Sequence, residues 1–418
     1  MRVLVSSFGS RGDIHPFIAL GLELAARGHS VVFALERPFI PLAADLGFPT
    51  VTLTGDPSML APHADLLREG SNALASLTLA WRIYIEPTLT AKLEELDAPC
   101  RRADVVVSPP VHVAAALAAD RRRVPWVSVS LSPAIPSAEL DPQEYPFPMP
   151  EVLRRLLNRL AWALGDVFLR RVADPAVNRL RHAHGLGPIR GALRVDAARA
   201  AAAALAVSPA LLTPPPDWPP TLAVTGFCFW DAPDGQDVPP ELGEFLAEPG
   251  PVVAVTIGSF DGGSGDRVAR FFQETANAAS SLNVRVLLIG PADARSVDGA
   301  SRVLAVPYAP FSYVFERCQA VIHHGGIGTL AQALRAGVPS LAVPWGFDQF
   351  FNAAQVKRRG LGLTVPFRSY SRERAARALE RLLADNRFKT AAAAHAVAIA
   401  AENGPRTLAC LVESVGHA

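Results

Sequence analysis

The sequence predicts an α/β protein made of two doubly wound domains. Short apolar runs alternate with longer segments of helical period, which indicates strand–helix–strand units and parallel sheets. The chain has 418 residues, a length that suits two domains better than one. A proline-rich stretch, residues 213–220, separates two sets of predicted strands and indicates a stiff, extended linker.

The predicted strands define the two domains. Those before the linker are residues 3–8, 31–35, 105–108, 126–129 and 205–208, and those after it are 252–257, 284–289, 303–306, 320–323 and 340–343. We therefore expect an N-terminal domain over 1–212, a second domain over 221–395, and a C-terminal helix over 396–418 that packs back on the first domain. Two such domains are expected to face each other across a cleft.

Composition excludes several classes of protein. The formal net charge is +1 and charged residues make up 19% of the chain, so the basic field that nucleic-acid binding requires is missing. The four cysteines are far apart in sequence, which fits neither a disulfide framework nor a zinc site and suggests reduced thiols in a cytoplasm. No signal peptide and no membrane-spanning segment is predicted.

Two loops follow predicted strands and are the expected places for ligand binding. In the second of them, residues 323–329, Gly325, Gly326 and Gly328 allow a ligand to approach the backbone, and a helix is predicted to begin near Thr329. The free N–H groups of a helix N-terminus attract anions, and His324 adds a side-chain donor. The alternative is that these glycines only form a tight corner.

The residues after this loop strengthen the ligand-binding interpretation. Gly337-Val-Pro, Trp345-Gly-Phe-Asp-Gln and Asn352-Ala follow in order. Together with the loop they resemble the donor-binding signature of the inverting nucleotide-sugar glycosyltransferases with the GT-B fold. That family includes sterol glucosyltransferases, antibiotic glycosyltransferases and bacterial rhamnolipid rhamnosyltransferases. The resemblance implies two Rossmann-like domains and a nucleotide-sugar donor.

The resemblance also implies roles for individual residues of the second domain. The sugar hydroxyls would be bound by Asp348 and Gln349, since a carboxylate accepts hydrogen bonds and an amide both donates and accepts them. The diphosphate would be held by His324, Gly326, Gly328 and Thr329.

The nucleoside would contact three further residues. Tyr308 would stack on the nucleobase, although a ring packed under the strand end is the alternative. Ser259 would lie at the phosphates. Gln332 stands where many relatives carry a glutamate that binds the ribose, so both UDP-sugars and dTDP-sugars remain candidate donors.

The first loop, residues 8–16, lacks the G-x-G-x-x-G pattern of dinucleotide oxidoreductases. It resembles instead the Arg-Gly-Asp-x-x-Pro loop of sterol and glycopeptide glycosyltransferases, which implies that Asp13 is the general base for the acceptor hydroxyl. Two alternatives remain. Asp13 could cap the helix predicted to begin near Pro16, and His15 could be the base, because histidine titrates near neutral pH.

The sequence also bears on a metal ion and on the acceptor. No Asp-x-Asp motif occurs, so neither a bound metal nor a cofactor besides the donor sugar is expected. We expect an apolar small molecule or lipid as acceptor. Residues 151–164 form an amphipathic basic helix that would cover this acceptor or contact a membrane surface, unless its leucine face packs on the N-terminal domain. A nucleotide-sugar epimerase or hydrolase and a noncatalytic partner protein are the alternative functions.

Overall fold

The computed structural model describes residues 1–63, 73–142, 149–194, 200–231, 238–258, 266–290 and 302–416. The chain divides into two compact units. The first comprises Met1–Leu60, Leu74–Trp230 and Glu402–Ala418, and the second comprises Ala61–Ala73 and Asp231–Ala401.

The first unit contains a seven-stranded sheet in which every pairing is parallel, with the strand order β3-β2-β1-β4-β5-β6-β7. Its strands are β1 Arg2–Ser6, β2 Ser30–Glu36, β3 Thr50–Leu53, β4 Val105–Ser108, β5 Trp126–Ser130, β6 Ala202–Leu205 and β7 Leu222–Val224. Its helices are α1 Arg11–Ala26, α2 Ile40–Ala44, α3 Ala73–Ala80, α4 Glu86–Arg101, α5 Val113–Arg122, α6 Glu151–Ala183 and, at the C-terminus, α14 Gly404–Gly416, with a π-helical turn at Trp81–Ile85.

The second unit contains a six-stranded parallel sheet of order β10-β9-β8-β11-β12-β13. Its strands are β8 Val252–Thr256, β9 Arg285–Ile289, β10 Val303–Val306, β11 Ala320–His323, β12 Ser340–Ala342 and β13 Gly362–Thr364. Its helices are α7 Pro240–Ala247, α8 Asp266–Ser281, α9 Phe311–Phe315, α10 Ile327–Arg335, α11 Gln349–Arg358, α12 Arg372–Ala384 and α13 Asn386–Ala400.

The apolar composition of the strands explains this architecture. Strands β4, β8 and β11 are buried along their whole length, as expected where helices cover both faces of a parallel sheet. The prediction of two doubly wound α/β domains is confirmed.

Several predicted elements differ in extent from those observed. The strand predicted at residues 205–208 lies three residues earlier in the structure, because β6 pairs with β5 through Ala202–Leu205. Three short strands, β3, β7 and β13, were not predicted. Helix α10 begins two residues before the predicted Thr329.

The C-terminal helix α14 packs on α1 within the first unit. Glu413 joins the two elements, because it accepts hydrogen bonds from Arg27 at 2.9 Å and from His29 at 2.8 Å. The side chains of Leu408 and Val412 lie in the same apolar core as Phe17 and Leu20 of α1. The last helix of the chain therefore belongs to the first domain's core.

All four cysteines are free thiols, and three of them, Cys100, Cys228 and Cys318, are buried. Burial raises the pKa of each of these three thiols to about 12, so they are protonated at neutral pH.

Across the described part of the chain, no helix is both long and apolar enough to cross a membrane.

Candidate active site

The loop between β11 and α10 has the geometry of an anion-binding helix start. Gly326 is the N-cap of α10, and the first intrahelical bond runs from the Leu330 N–H to the Gly326 carbonyl at 3.0 Å. The amides of the three residues before Leu330 therefore point out of the helix end without an intrahelical acceptor. These amides include those of Gly328, which is exposed, and Thr329, which is buried.

His324 is clamped between two glycines. A β-carbon at Gly258, where φ is +78°, or at Gly326 would overlap the imidazole ring, so only glycine leaves room for it. The ring is buried, and its Nδ1 has no hydrogen-bond partner. Burial lowers the pKa of His324 to about 4, which keeps the imidazole neutral at physiological pH. A neutral, buried and unpaired ring nitrogen is suited to a ligand atom.

His323, the last residue of β11, holds the same loop through a hydrogen bond. Its Nδ1 accepts a hydrogen bond from the Gly325 N–H at 3.0 Å, so the ring proton is on Nε2. Burial, together with the neighbouring His324, lowers the pKa of His323 to about 3. Gly325 has φ +89°, and a β-carbon there would lie 3.0 Å from the carbonyl oxygen of Gln349. The sequence analysis assigned no role to His323.

The loop before α11 presents Asp348 and Gln349. The Oε1 of Gln349 accepts hydrogen bonds from the N–H groups of Trp345 at 3.0 Å and Gly346 at 3.1 Å. This oxygen is therefore engaged by the loop, and the Nε2 amide is the group that can reach a ligand. Asp348 is the N-cap residue of α11, and Phe347 before it has φ +51°, a strained conformation of the kind found at functional sites.

Asn352 connects the two loops, a function that the sequence analysis did not assign although its Asn-Ala motif was noticed. Its Nδ2 donates to the Gly325 carbonyl at 2.9 Å and to Asp348 Oδ2 at 3.1 Å, while its buried Oδ1 has no partner. One side chain thus aligns the predicted diphosphate and sugar subsites.

The predicted nucleoside residues lie at the same edge of the second sheet. Tyr308 follows β10, and its side chain is 44% exposed. Gln332 donates to Asp231 Oδ1 at 3.4 Å, while its Oε1 is buried without a partner. Arg335 donates to the other oxygen of Asp231 at 2.7 Å. Ser259 lies outside the described residues.

In the first unit, Asp13 caps α1. Its Oδ2 accepts hydrogen bonds from the N–H and from the Oγ–H of Ser10, both at 2.8 Å, and the Asp13 N–H donates to the Ser10 carbonyl at 2.9 Å. Gly9 has φ +115°, and a β-carbon there would lie 2.7 Å from this Oδ2. The helix begins at Arg11, earlier than predicted. These contacts hold the Asp13 carboxylate in one orientation.

His15 lies two residues after Asp13 in α1, and its ring packs against Trp230. The two rings meet edge to face with centroids 4.7 Å apart and planes inclined by 79°. This contact orients the imidazole of His15 toward the indole.

A buried polar cluster lies at the carboxyl ends of the strands in the first unit. Glu36, the last residue of β2, accepts a hydrogen bond from Lys92 Nζ at 2.8 Å and another from the Tyr84 hydroxyl. Burial raises the pKa of Glu36 and lowers that of Lys92. The pKa of Tyr84 is raised mainly by burial and by the charge of Glu36, and to a smaller extent by the charge of Asp13. This cluster therefore lies within electrostatic reach of Asp13. No spacing in the sequence connects these residues, and sequence analysis could not have found them.

Three buried histidines, His112, His323 and His324, predict a specific acid sensitivity, because burial also lowers the pKa of His112 well below its ordinary value. Between the ordinary pKa of 6.5 and the folded-state values of about 3 and about 4, the unfolded chain binds protons that the folded chain does not. Stability is therefore complete above pH 6.5 and falls as the pH drops, by about 1.4 kcal/mol per pH unit for each histidine. Urea unfolding across this pH range measures the slope.

Two variants test this assignment. His324→Gln removes one of three titrating histidines, so the slope should fall by roughly a third, since each histidine contributes about equally. His182→Gln, which changes an exposed histidine at the end of α6, should leave the slope unchanged. An unaltered slope in His324→Gln would show that the acid sensitivity has another origin.

The fold and the loop after β11 together define a class of protein. Two doubly wound units, with a glycine-lined helix start and a clamped histidine at the strand ends of the second, are the arrangement of a GT-B glycosyltransferase.

Comparison with known proteins identifies the family. Residues 281–415 match the family described as Erythromycin biosynthesis protein CIII-like, C-terminal domain. The chain is 33% identical to the O-mycaminosyltylonolide 6-deoxyallosyltransferase of Streptomyces fradiae, over 99% of this chain and 97% of that protein. It is 28% identical to a sterol 3-beta-glucosyltransferase of Neurospora crassa, over 97% of this chain but 27% of that longer protein. The chain belongs to the UDP-glycosyltransferase-like family and is a glycosyltransferase.

A solved structure agrees with this fold. The glycosyltransferase VinC, crystallised in complex with dTDP, superposes with a TM-score of 0.72 at 20% identity and full coverage of both chains. At that identity the likeness concerns the fold.

Proposed function

We propose that the chain is an inverting glycosyltransferase that moves a hexose or deoxyhexose from a UDP- or dTDP-sugar to a hydroxyl group of an apolar small molecule, natural product or lipid. The observation that carries this proposal is His324, buried at the N-terminus of α10 with Nδ1 unpaired. An unpaired buried polar atom costs about 1–3 kcal/mol, a cost that is removed when a phosphate oxygen accepts a hydrogen bond from Nδ1–H.

The donor would be bound without a metal ion. The N-terminal amides of α10 supply a partial positive charge of about half a unit, and His324 supplies a further donor to the diphosphate. The carboxylate of Asp348 would accept from one sugar hydroxyl, and the Nε2 of Gln349 would donate to another. Tyr308 would stack on the base, and the unpaired Oε1 of Gln332 would accept a hydrogen bond from the ribose.

The relatives support the substrate classes. The Streptomyces fradiae protein is described as a deoxyallosyltransferase, which favours a deoxyhexose, and the sterol glucosyltransferases favour an apolar acceptor. The VinC complex holds dTDP, and Gln332 in place of a charged residue is compatible with either nucleotide.

The proposed reaction follows from the roles given to Asp13 and to the donor-binding residues. Asp13 takes the proton of the acceptor hydroxyl as the hydroxyl oxygen forms a bond to the anomeric carbon. The bond from that carbon to the diphosphate breaks, its electron pair leaves with the nucleoside diphosphate, and the configuration inverts because attack comes from the opposite face. The hydrogen bonds from Ser10 orient the Asp13 carboxylate for this transfer.

Thermal unfolding with UDP, dTDP and their sugars tests the donor proposal. A ligand that binds the folded state at about a hundred times its Kd stabilises it by about 2.7 kcal/mol, so the melting temperature should rise clearly with at least one nucleotide. The rise should persist in excess EDTA if no metal is involved. His324→Gln should abolish it, whereas His182→Gln should retain it.

Each outcome has a defined meaning. If no nucleotide or nucleotide sugar shifts the melting temperature, the donor-site proposal is wrong. If EDTA removes the shift, metal independence is wrong while the donor site stands. Turnover of the nucleotide sugar with no acceptor present would indicate the epimerase or hydrolase alternative.

A further inference from the structure

The first half of helix α6 exposes an apolar face. Of the ten exposed large hydrophobic side chains in the described part of the chain, seven belong to this helix. They are Val152, Leu153, Leu156, Leu160, Leu164, Val167 and Phe168, with exposed fractions from 40% to 82%. Single exposed apolar residues are ordinary, but a cluster of this kind marks a contact surface. We call these seven residues the α6 apolar face.

The opposite side of α6, which is more polar, packs on the first unit and fixes the orientation of the helix. Asn158 is buried, and its Nδ2 donates to the Ala138 carbonyl at 2.9 Å and to Asp141 Oδ1 at 2.8 Å. Trp162 donates to the Leu140 carbonyl at 2.8 Å. Gly165 is buried against Leu74 of α3. A β-carbon added at Gly165 would lie 3.7 Å from the Leu74 methyl groups. The alternative in which the leucines pack on the N-terminal domain is therefore wrong.

The charges beside the apolar face are positive. Arg159 and Arg171 are exposed and form no ion pair within the described residues. The neighbouring carboxylates are engaged elsewhere, since Glu151 pairs with Arg155 at 2.7 Å and Asp166 pairs with Arg170. The face therefore presents leucine side chains together with two arginines that have no ion pair in the part of the chain that the structure describes.

We propose that the α6 apolar face binds an anionic membrane surface, with the helix axis parallel to the bilayer. Interfacial helices combine an apolar face with arginines that contact anionic headgroups. At about 100° per residue the seven side chains span an arc of roughly 160°, far wider than the narrow seam of a coiled coil.

A second copy of the chain fits this face less well. Residues 152–168 make a strip about 25 Å long and only one helix wide, since a helix rises 1.5 Å per residue. A stable dimer buries roughly 800 Å² on each partner. A bilayer needs no complementary surface, and the two arginines match its anionic headgroups.

Vesicle sedimentation of the full-length chain tests the proposal. The chain should sediment with vesicles of phosphatidylcholine and phosphatidylglycerol, and much less with phosphatidylcholine alone or at high salt. Leu156→Gln combined with Leu160→Gln should lower the bound fraction at least tenfold. Arg159→Gln combined with Arg171→Gln should remove the preference for phosphatidylglycerol. Val397→Gln, which changes a 74% exposed valine on α13, is the control and should bind as the parent does.

The other occupants give different results. If the parent does not sediment with phosphatidylglycerol vesicles, the proposal is overturned. It is also overturned if the chain is a dimer in solution that the leucine substitutions dissociate, or if they raise the KM for a soluble acceptor without vesicles, which would make the face a cover of the acceptor site. All the substituted residues are exposed, so unchanged melting temperatures verify folding. Nucleotide-induced stabilisation should persist in every variant, which separates this test from that of the donor site.

Discussion

The Asp13→Asn variant should bind UDP or dTDP and their sugars as the parent does, yet lose transfer by about 10²- to 10⁴-fold in kcat, the usual contribution of a general base. Asparagine retains an oxygen that can accept from the Ser10 N–H and Oγ–H, so the cap of α1 survives. The helix loses one favourable charge at its N-terminus, which costs about 0.3–1 kcal/mol. Steady-state kinetics with nucleotide titration separates binding from turnover.

Two further variants complete this experiment. Glu241→Gln also removes a carboxylate from the first turn of a helix, α7, and should leave kcat unchanged. His15→Gln should have a small effect, since its ring packs on Trp230. Near-normal turnover of Asp13→Asn together with inactive His15→Gln would move the base to His15.

The Gly326→Ala variant should bind nucleotide about ten- to a hundredfold more weakly. This is the loss of affinity expected when one hydrogen bond to a charged group is removed. Gly326 has φ −61° and ψ 139°, which alanine adopts without strain, so the effect arises from contact alone. The added β-carbon would overlap Nε2 of His324 and displace the ring. Overpacking of this kind also costs about 1–3 kcal/mol of stability. Nucleotide titration and urea unfolding measure the two effects.

A double variant identifies the cause. In Gly326→Ala combined with His324→Ala the overlap is absent, so stability should largely recover while nucleotide affinity stays low. Gly243→Ala on α7 is the matched control, because its β-carbon would meet only the Tyr313 hydroxyl at 4.0 Å. It should match the parent or gain up to about 1 kcal/mol from helix propensity. If Gly326→Ala has the affinity and stability of the parent, the claim that Gly258 and Gly326 hold the His324 ring in place is wrong.

Much of the fold was readable from the sequence because it depends on local patterns. Buried parallel strands are continuous apolar runs, so β1, β4, β8 and β11 were predicted close to their observed positions. The loop after β11 could also be predicted, since its glycines and His324 lie together in the chain. Strand β6 was displaced because an alanine-rich segment has no intrinsic strand signal, and pairing with β5 sets its limits.

By itself, the sequence determined that the chain has two doubly wound domains and a glycine-rich loop between a strand and a helix, because periodicity and neighbouring residues encode these features. Only the tertiary structure decided how distant residues meet. Gly258 and Gly326 meet around His324 because β8 and β11 are neighbours and end side by side. Glu36, at the end of β2, meets Lys92 from the middle of helix α4. It also decided which face of α6 is exposed. An amphipathic pattern specifies two faces, but the hydrogen bonds of Asn158 and Trp162 determine which one packs on the domain.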